Sequence, residues 1–401
     1  MKKFLSTILV IVMVASLTAC GGKDTTKTEA GTTEKAAETT GSNLDASLKI
    51  DLSVLKSGDG QPLLLEVETK EVPERPEDPL ALPETDALHW YDMEYSGFSA
   101  DKENLPVSPK DGAIGKSVVV IINGDHPYLT AYGIGAKKVA DAYSMDFKLL
   151  SPNWDLNVQN QQIDQAINMK PDMIILIPLD AQAATQQLRK INQAGIPVIV
   201  SNMLPDAEGM KYSLAWTGPD DWGQFRMLSR ALADKMGKKG GIAYITHAPG
   251  GSPYFARMMA PITELMTYAP EIKTLDFQSP GFEAAKTKQV VSDWITRFGS
   301  DLNAIVCADD SAQALGVAEA LKVAGRDDII VVAAGNSKIG MDQVKSGDIF
   351  AVTYQSAEAD GATPIKLAAD WFNGLELQNV SYLTKHIITA EDVDGFMPAQ
   401  W

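Results

Sequence analysis

The sequence predicts an α/β fold: two Rossmann-like lobes built on parallel sheets, preceded by an N-terminal extension. Three observations carry this. From residue 116 onward, short apolar runs alternate with helical periods, the pattern of parallel strands joined by crossover helices. The runs, such as "MIILI" at 173–177 and "IIVVAA" at 329–334, are apolar throughout, as expected of strands buried on both faces. And about 360 residues follow the first 43, more than one hydrophobic core usually holds.

Strands are expected at 117–122, 147–150, 173–177, 197–201, 241–246, 272–277, 303–308, 329–334 and 349–354. Helices are expected at 128–144, 157–168, 181–194, 221–236, 253–267, 283–298, 311–324, 338–346 and 358–373. The segments "QAGIPVIV" and "VAGRDDIIVV" place Gly after a helix, then a turn, then a strand, an ordinary helix stop. The extended stretch "KYSLAWTGPDDWGQ" falls midway and is the candidate crossover between lobes.

Three segments precede this body. Residues 1–19 have a basic start at Lys2 and Lys3 and an apolar stretch from Phe4 to Leu17, then "LTAC". The stretch is too short for a comfortable membrane span and reads as a secretory signal. Cysteine directly after Leu-Thr-Ala resembles the lipobox of bacterial lipoproteins. That resemblance implies cleavage before Cys20 and a diacylglycerol thioether on its sulfur, so that the lipid holds the chain to a membrane. Residues 20–43 are Gly/Thr/Glu/Lys-rich with almost nothing to bury, and are expected to form a disordered tether. Residues 44–115 contain "EVETKEVPERPEDPLALPE", acidic and proline-rich, which should run extended over a surface. They also contain the aromatic "HWYDMEYSGF". It must pack on the main body or, through Trp90 or Tyr91, reach a ligand or partner.

Charge and spacing exclude several classes. The formal net charge is −17, and −19 once Lys2 and Lys3 are removed (−17 − 2). Nucleic acid needs a basic footprint, so no nucleic-acid partner is expected. With Cys20 lipidated, Cys307 has no cysteine to pair with; ending the run "LNAIVC", it reads as a buried thiol. "GAIGKS" at 112–117 has Lys110 where a P-loop needs glycine, and it precedes its strand. Gly133-x-Gly135 would need a third glycine at Lys138 and falls inside a helix. His89, His126, His247 and His386 have no metal-ligand spacing, and no G-x-S-x-G elbow occurs. The adjacent carboxylates Asp220-Asp221 and Asp309-Asp310 point to opposite faces of an extended chain. No catalytic residue, metal or cofactor is assigned, and an enzyme is not expected.

In open parallel sheets, ligands sit beyond the carboxyl ends of the strands. Those tips carry aromatics (Tyr128, Phe282), amides (Asn202, Asn336, Gln355), Arg257, and the carboxylates Asp125 and Asp310. Aromatic faces cover the C–H face of a sugar, and planar polar groups take pairs of hydroxyls. The mixture suits a neutral polyhydroxylated ligand better than a phosphate. Asp125 reads as a turn residue, Asn336 equally as a helix cap, and Trp154 and Trp222 equally as cleft or core residues.

Several of these segments carry a specific likeness. "HPYL" at 126–129, "SPYFARMMAPI", "SPGFEAAK", "CADDSAQALG", "TYQSAEADGA" and "LTKHIITAEDVDGF" together resemble the motifs of type I periplasmic binding proteins of the ribose/galactose-binding group. The likeness runs from residue 116 to the end of the sequence. It implies ligand contacts from His126, Tyr128, Asn202, Arg257, Phe282, Asp310, Asn336 and Gln355. The sequence departs from the family where Ser201-Asn202 stands in place of Asp-Arg and Ala334-Gly335-Asn336 in place of Gly-Phe-Asp. His126 replaces an asparagine and Leu129 an aromatic.

The resemblance implies an N-terminal lobe of 116–217 and 356–382 and a C-terminal lobe of 218–355 and 383–401. Three hinge strands near 216–219, 354–356 and 382–384 would join them. It further implies a monomeric, lipid-anchored extracytoplasmic receptor that traps a monosaccharide or related ligand by hinge closure and delivers it to an ABC permease. A membrane sensor in place of the permease, or a surface carbohydrate-active enzyme, are the alternatives.

Overall fold

The computed structural model describes residues 51–401 apart from Ser96. The signal segment, the tether, Cys20 and the first residues of the extension lie outside the described residues. Two mostly parallel sheets organise the body. The first holds β1 (Val67–Glu68), β2 (Ser117–Ile121), β3 (Asp146–Leu150), β4 (Met173–Leu176), β5 (Val198–Ser201), β6 (Ala215–Pro219) and β12 (Val380–Leu383). The second holds β7 (Lys239–Ile245), β8 (Glu271–Gln278), β9 (Leu302–Cys307), β10 (Ile330–Ala333), β11 (Ala351–Thr353) and β13 (Ile387–Thr389). Their orders are β1-β12-β6-β5-β4-β2-β3 and β13-β11-β10-β9-β7-β8. The pairs β1–β12 and β11–β13 are antiparallel.

The apolar runs form strands because both faces are covered. Along β2, Val118 and Val120 enter one core, while Val119 and Ile121 enter the core on the opposite face. The first core is closed by α2 (Pro127–Ala142) and α11 (Ala357–Phe372), the second by α3 (Leu156–Met169) and α4 (Ala181–Gln193). The second sheet repeats the scheme. Ile305 and Cys307 of β9 face α8 (Ala284–Phe298), α9 (Ala312–Ala324) and α10 (Lys338–Ser346). Ala304 and Val306 face α6 (Asp221–Lys235) and α7 (Ser252–Tyr268). Cys307 is fully buried. Two further helices are short: α1 (Tyr91–Tyr95) and α5 (Ala207–Met210). Gly135 of α2 and Gly361 of α11 let these helices touch through their backbones. A Cβ at either would lie 1.9 Å from the carbonyl oxygen of Glu358 or Tyr132 on the other helix. Gly135 of the Gly133-x-Gly135 pair in α2 therefore serves helix packing.

The chain passes between the sheets three times: after β6 into α6, after β11 into α11, and after β12 into β13. The extension straps this junction. Leu63 enters the first lobe's core and Trp90 the second's, while β1 adds to β12. Its Lys70 reaches both Glu94 (2.5 Å) and Asp220 at the first passage (3.0 Å). Glu94 takes a two-pronged bond from Arg226 of α6, and Lys385 at the third passage pairs with Glu68 and Asp220. The "HWYDMEYSGF" aromatics thus cover the body: Trp90 packs on Phe255, and Tyr91 donates its hydroxyl to the Pro73 carbonyl.

Candidate functional site

Residues that follow strand ends of both sheets line one pocket, with a cavity of about 100 Å³. That is well below the ~300–1,000 Å³ typical of drug-sized ligands. His126, Tyr128, Asn202, Arg257, Phe282 and Gln355 all line it. Asp310 and Asn336 do not; they lie behind the wall.

On the first lobe, α2 begins at the tip of β2. His126 caps it, Nδ1 accepting from the Tyr128 amide at 3.2 Å. Burial pushes this imidazole below its ordinary pKa, against the pull of Asp309, so the ring is a neutral acceptor. The Tyr128 hydroxyl donates to Asp360 Oδ2 at 2.9 Å, and Asn202 Nδ2 donates to the same oxygen at 2.6 Å. Asp360, on α11, is fully buried, and its Oδ1 has no partner. Burial drives its carboxyl up to about 7, overriding those two donors. The sequence reading passed over Asp360; its only signal was a carboxylate inside the small-residue helix start "SAEADGA".

On the second lobe, Arg257 is engaged on every side. Nε donates to Asp221 Oδ1 at 2.9 Å, Nη1 to the Ala308 carbonyl at 2.6 Å and Nη2 to Gln355 Oε1 at 3.4 Å. Gln355 Nε2 in turn donates to Asp221 and Gln224. Burial raises the Asp221 carboxyl, and Arg257 opposes that shift. The guanidinium is therefore a neutralised, pre-positioned donor, part of a buried pair. Phe282 stands edge-on to His247 with ring centroids 4.9 Å apart. Burial first, and Arg257 second, push His247 down to about 3, so this ring too is neutral.

Of the adjacent acids, Asp309 reaches the pocket and also holds the start of α9 by accepting from Ser311 and Gln313. Asp310 turns inward, fully buried, with Oδ2 accepting from the Ser337 amide at 2.7 Å; burial raises its carboxyl well above the usual range. Asn336 is buried and accepts from the Gln355 amide at 3.2 Å. The cap of α10 is Ser337, not Asn336. Asp125 braces the β2 tip by accepting from Ser151. Trp154 lines the pocket with 47% of its surface exposed and a left-handed backbone (φ 65°), whereas Trp222 is core. Sequence reasoning missed Asn123, His247 and Trp401, all on the wall. Among the described residues no group of His, Cys, Asp or Glu could hold a metal, and no helix is long and apolar enough to cross a membrane.

The wall is thus aromatic, with amides and a neutralised ion pair, and it draws on both lobes. Comparison with known proteins agrees with this architecture. A family model described as a periplasmic binding protein domain matches residues 114–376. The chain is 25% identical over 279 residues to a xylitol-binding protein of Mycolicibacterium smegmatis, covering 70% of this chain and 78% of that one. It is 24% identical over 270 residues to a ribose import binding protein of Bacillus subtilis, covering 67% and 84%. Among solved structures, an ABC transporter solute-binding protein of Bacillus halodurans with bound myo-inositol superposes with a TM-score of 0.66 at 22% identity, covering 73% of this chain and all of that one. A periplasmic solute-binding protein of Actinobacillus succinogenes with bound D-allose gives 0.65 at 22%, covering 70% and 100%. The match to the family model and the two-sheet architecture with its three passages place the chain in the periplasmic binding protein family, as a type I member.

Proposed function

We propose that this chain is a lipid-anchored extracytoplasmic receptor that binds a small, uncharged polyhydroxylated ligand, a monosaccharide or polyol, for an ABC permease. One observation carries the ligand class: the pocket combines aromatic rings (Tyr128, Phe282, Trp154) with side-chain amides and, among the described residues, offers an anion no free cation, while the Asp309 carboxylate also stands on its wall. Arg257 is matched by Asp221, and His126 and His247 are held neutral. A phosphate or carboxylate ligand would have to compete with Asp221 for the guanidinium. Hydroxyls need only accept and donate among fixed partners, and a ligand lacking one leaves a buried group unpaired. The relatives named for xylitol and ribose support the same class. Closure about the three passages would bring the lobes together on the ligand. The anchor is assigned to Cys20, where mass spectrometry of the N-terminal peptide should find a diacylglycerol adduct; an unmodified thiol would remove the anchor from the proposal.

The test is thermal unfolding of the full chain in mild detergent against pentoses, hexoses, polyols, inositols and, as controls, sugar phosphates. A ligand at a hundred times its Kd should stabilise by about 2.7 kcal/mol through mass action. Stabilisation by neutral polyols and none by their phosphates is expected. Silence of every neutral compound with the protein folded, or a response to phosphates alone, would refute the assignment.

A further inference from the structure

One wall of the pocket comes from outside the region that the family model matches. Trp401 lies well beyond residues 114–376, yet it lines the cavity. Its ring sits 5.5 Å from His126 and edge-on to Tyr128 at 5.4 Å, both on the first lobe. On the second lobe, its ring edge lies over Gly335, where an added Cβ would be 3.2 Å from it. Its backbone carbonyl accepts from the Lys338 amide, at the start of α10, at 2.6 Å. The indole therefore touches both sides of the cleft.

The ring is also held from behind. Gln400 Nε2 donates to Asp59 Oδ2 at 2.8 Å and to Ser356 Oγ at 2.9 Å, and its Oε1 accepts from the Glu358 amide at 2.9 Å. Asp59 belongs to the N-terminal extension, is buried, and accepts from the Tyr354 hydroxyl at 3.2 Å. Residues 354–358 form the second passage between the lobes, so extension, passage and final residues are latched together. Against this fixed frame the Trp401 Nε1 hydrogen is buried and has no acceptor. A buried N–H without a partner is costly and uncommon. Here it belongs to a residue on the wall of a ligand pocket.

We propose that Trp401 is a ligand-contacting residue: its indole face covers the C–H face of the bound polyol, its N–H donates to a ligand hydroxyl, and the Gln400–Asp59 latch positions it. This rests on the polyol reading and deepens it by assigning the aromatic that covers the ligand. Gln400 and Asp59 are positioning residues, and the extension thereby acquires a role in the site it does not itself line.

The test uses the full chain in mild detergent and the neutral polyol or sugar that most stabilises the wild type. Isothermal titration is run on wild type, Trp401→Phe, Trp401→Ala and Gln400→Ala, with the unfolding temperature of each free protein measured alongside. Loss of the whole ring should weaken binding by about 10- to 100-fold, and loss of the N–H alone by about 3- to 10-fold. Gln400→Ala should fall between wild type and Trp401→Ala. In ¹⁵N spectra, the indole resonance that disappears in Trp401→Phe should shift on ligand addition in the wild type. Affinity within twofold of wild type in both Trp401 variants would overturn this inference while leaving the polyol reading intact. An unmoved indole resonance would do the same, and decides the matter if Trp401→Ala fails to fold. If no neutral compound binds the wild type, both fall together.

Discussion

Asp360 should make the unliganded protein lose stability as pH rises, and Asp360→Asn should abolish that loss. The carboxyl is fully buried, and its Oδ2 accepts from Tyr128 and Asn202 while Oδ1 meets nothing. Burial raises it from 3.8 to about 7, the two donors oppose the shift, and the nearby Asp221 charge adds to it. The folded state therefore keeps a proton that the unfolded chain has given up between about pH 4 and 7. In that window the unfolded state binds fewer protons, so stability falls with rising pH and is flat on either side. A rise from 3.8 to about 7 corresponds to on the order of 4 kcal/mol in total. Asparagine keeps an acceptor for Tyr128 and Asn202 but cannot ionise. Urea unfolding of both proteins at pH 4, 5.5 and 8 gives the difference in stability at each pH. The titration of groups that do not interact with Asp360 cancels in that difference, whereas Asp221, whose charge acts on Asp360, contributes to it. At about 2.1 cal/mol/K per residue of unfolding entropy over roughly 350 residues, the gap corresponds to about 5 °C in Tm. The variant should gain on the wild type from pH 4 to about 7 and hold that gain at pH 8. A difference that stays constant across this range would show that Asp360 is ionised in the folded state, and the account of the first-lobe wall would be wrong.

Two further outcomes follow from the same geometry. Arg257→Ala should abolish ligand-induced stabilisation and also cost about 3–5 kcal/mol of stability, because it leaves Asp221 buried without its cation; adding Asp221→Asn should restore most of that stability but not binding. Lost binding with unchanged unfolding would mean that Arg257 serves the ligand alone. Trp90→Ala should cost about 3–5 kcal/mol by emptying its place in the second lobe's core, read by chemical denaturation; a cost below about 1 kcal/mol would show that the extension lies loosely on the body.

The fold was legible where burial is written in the local pattern. The strands that are apolar along their whole length, "MIIL" and "IVVA", appear as central strands, because helices on both faces give each side chain somewhere to go. Four strands were not expected as apolar runs: β1, β6, β12 and β13. Of these, β1, β12 and β13 are short and exist through partners distant in sequence, as Val67 does through Leu383 and Thr389 through Ala351. Nothing local fixes such pairs. β6 was legible only as an extended crossover, since "AWTGP" mixes glycine and proline into the strand.

The site divides in the same way. Asp309 and Asp310 were expected to face apart, and they do, but which one faces the pocket depends on the Ser337 amide that draws Asp310 inward. That amide lies far along the chain, and spacing alone cannot report it. Asp360 and Trp401 were missed for a related reason: Asp360 comes to lie behind the wall, and Trp401 on it, only because α11 and residues 400–401 are placed by contacts made elsewhere.

Placed side by side, the two lobes handle buried charge by different means. The second lobe pairs Asp221 with Arg257, whereas the first raises the Asp360 carboxyl to about 7 beneath Tyr128 and Asn202. Both devices offset charge behind the wall while holding its donors and acceptors in fixed directions. They are also coupled, since Asp221 contributes to raising Asp360 across the cleft. Drawing Arg257 away from Asp221 would leave a buried carboxyl without its cation, the costly case for a buried pair. An anionic ligand would compete for Arg257 and do just this, while a neutral polyol leaves the pairing in place. The wall therefore opposes an anion through the Arg257–Asp221 pair and the Asp309 carboxylate beside it.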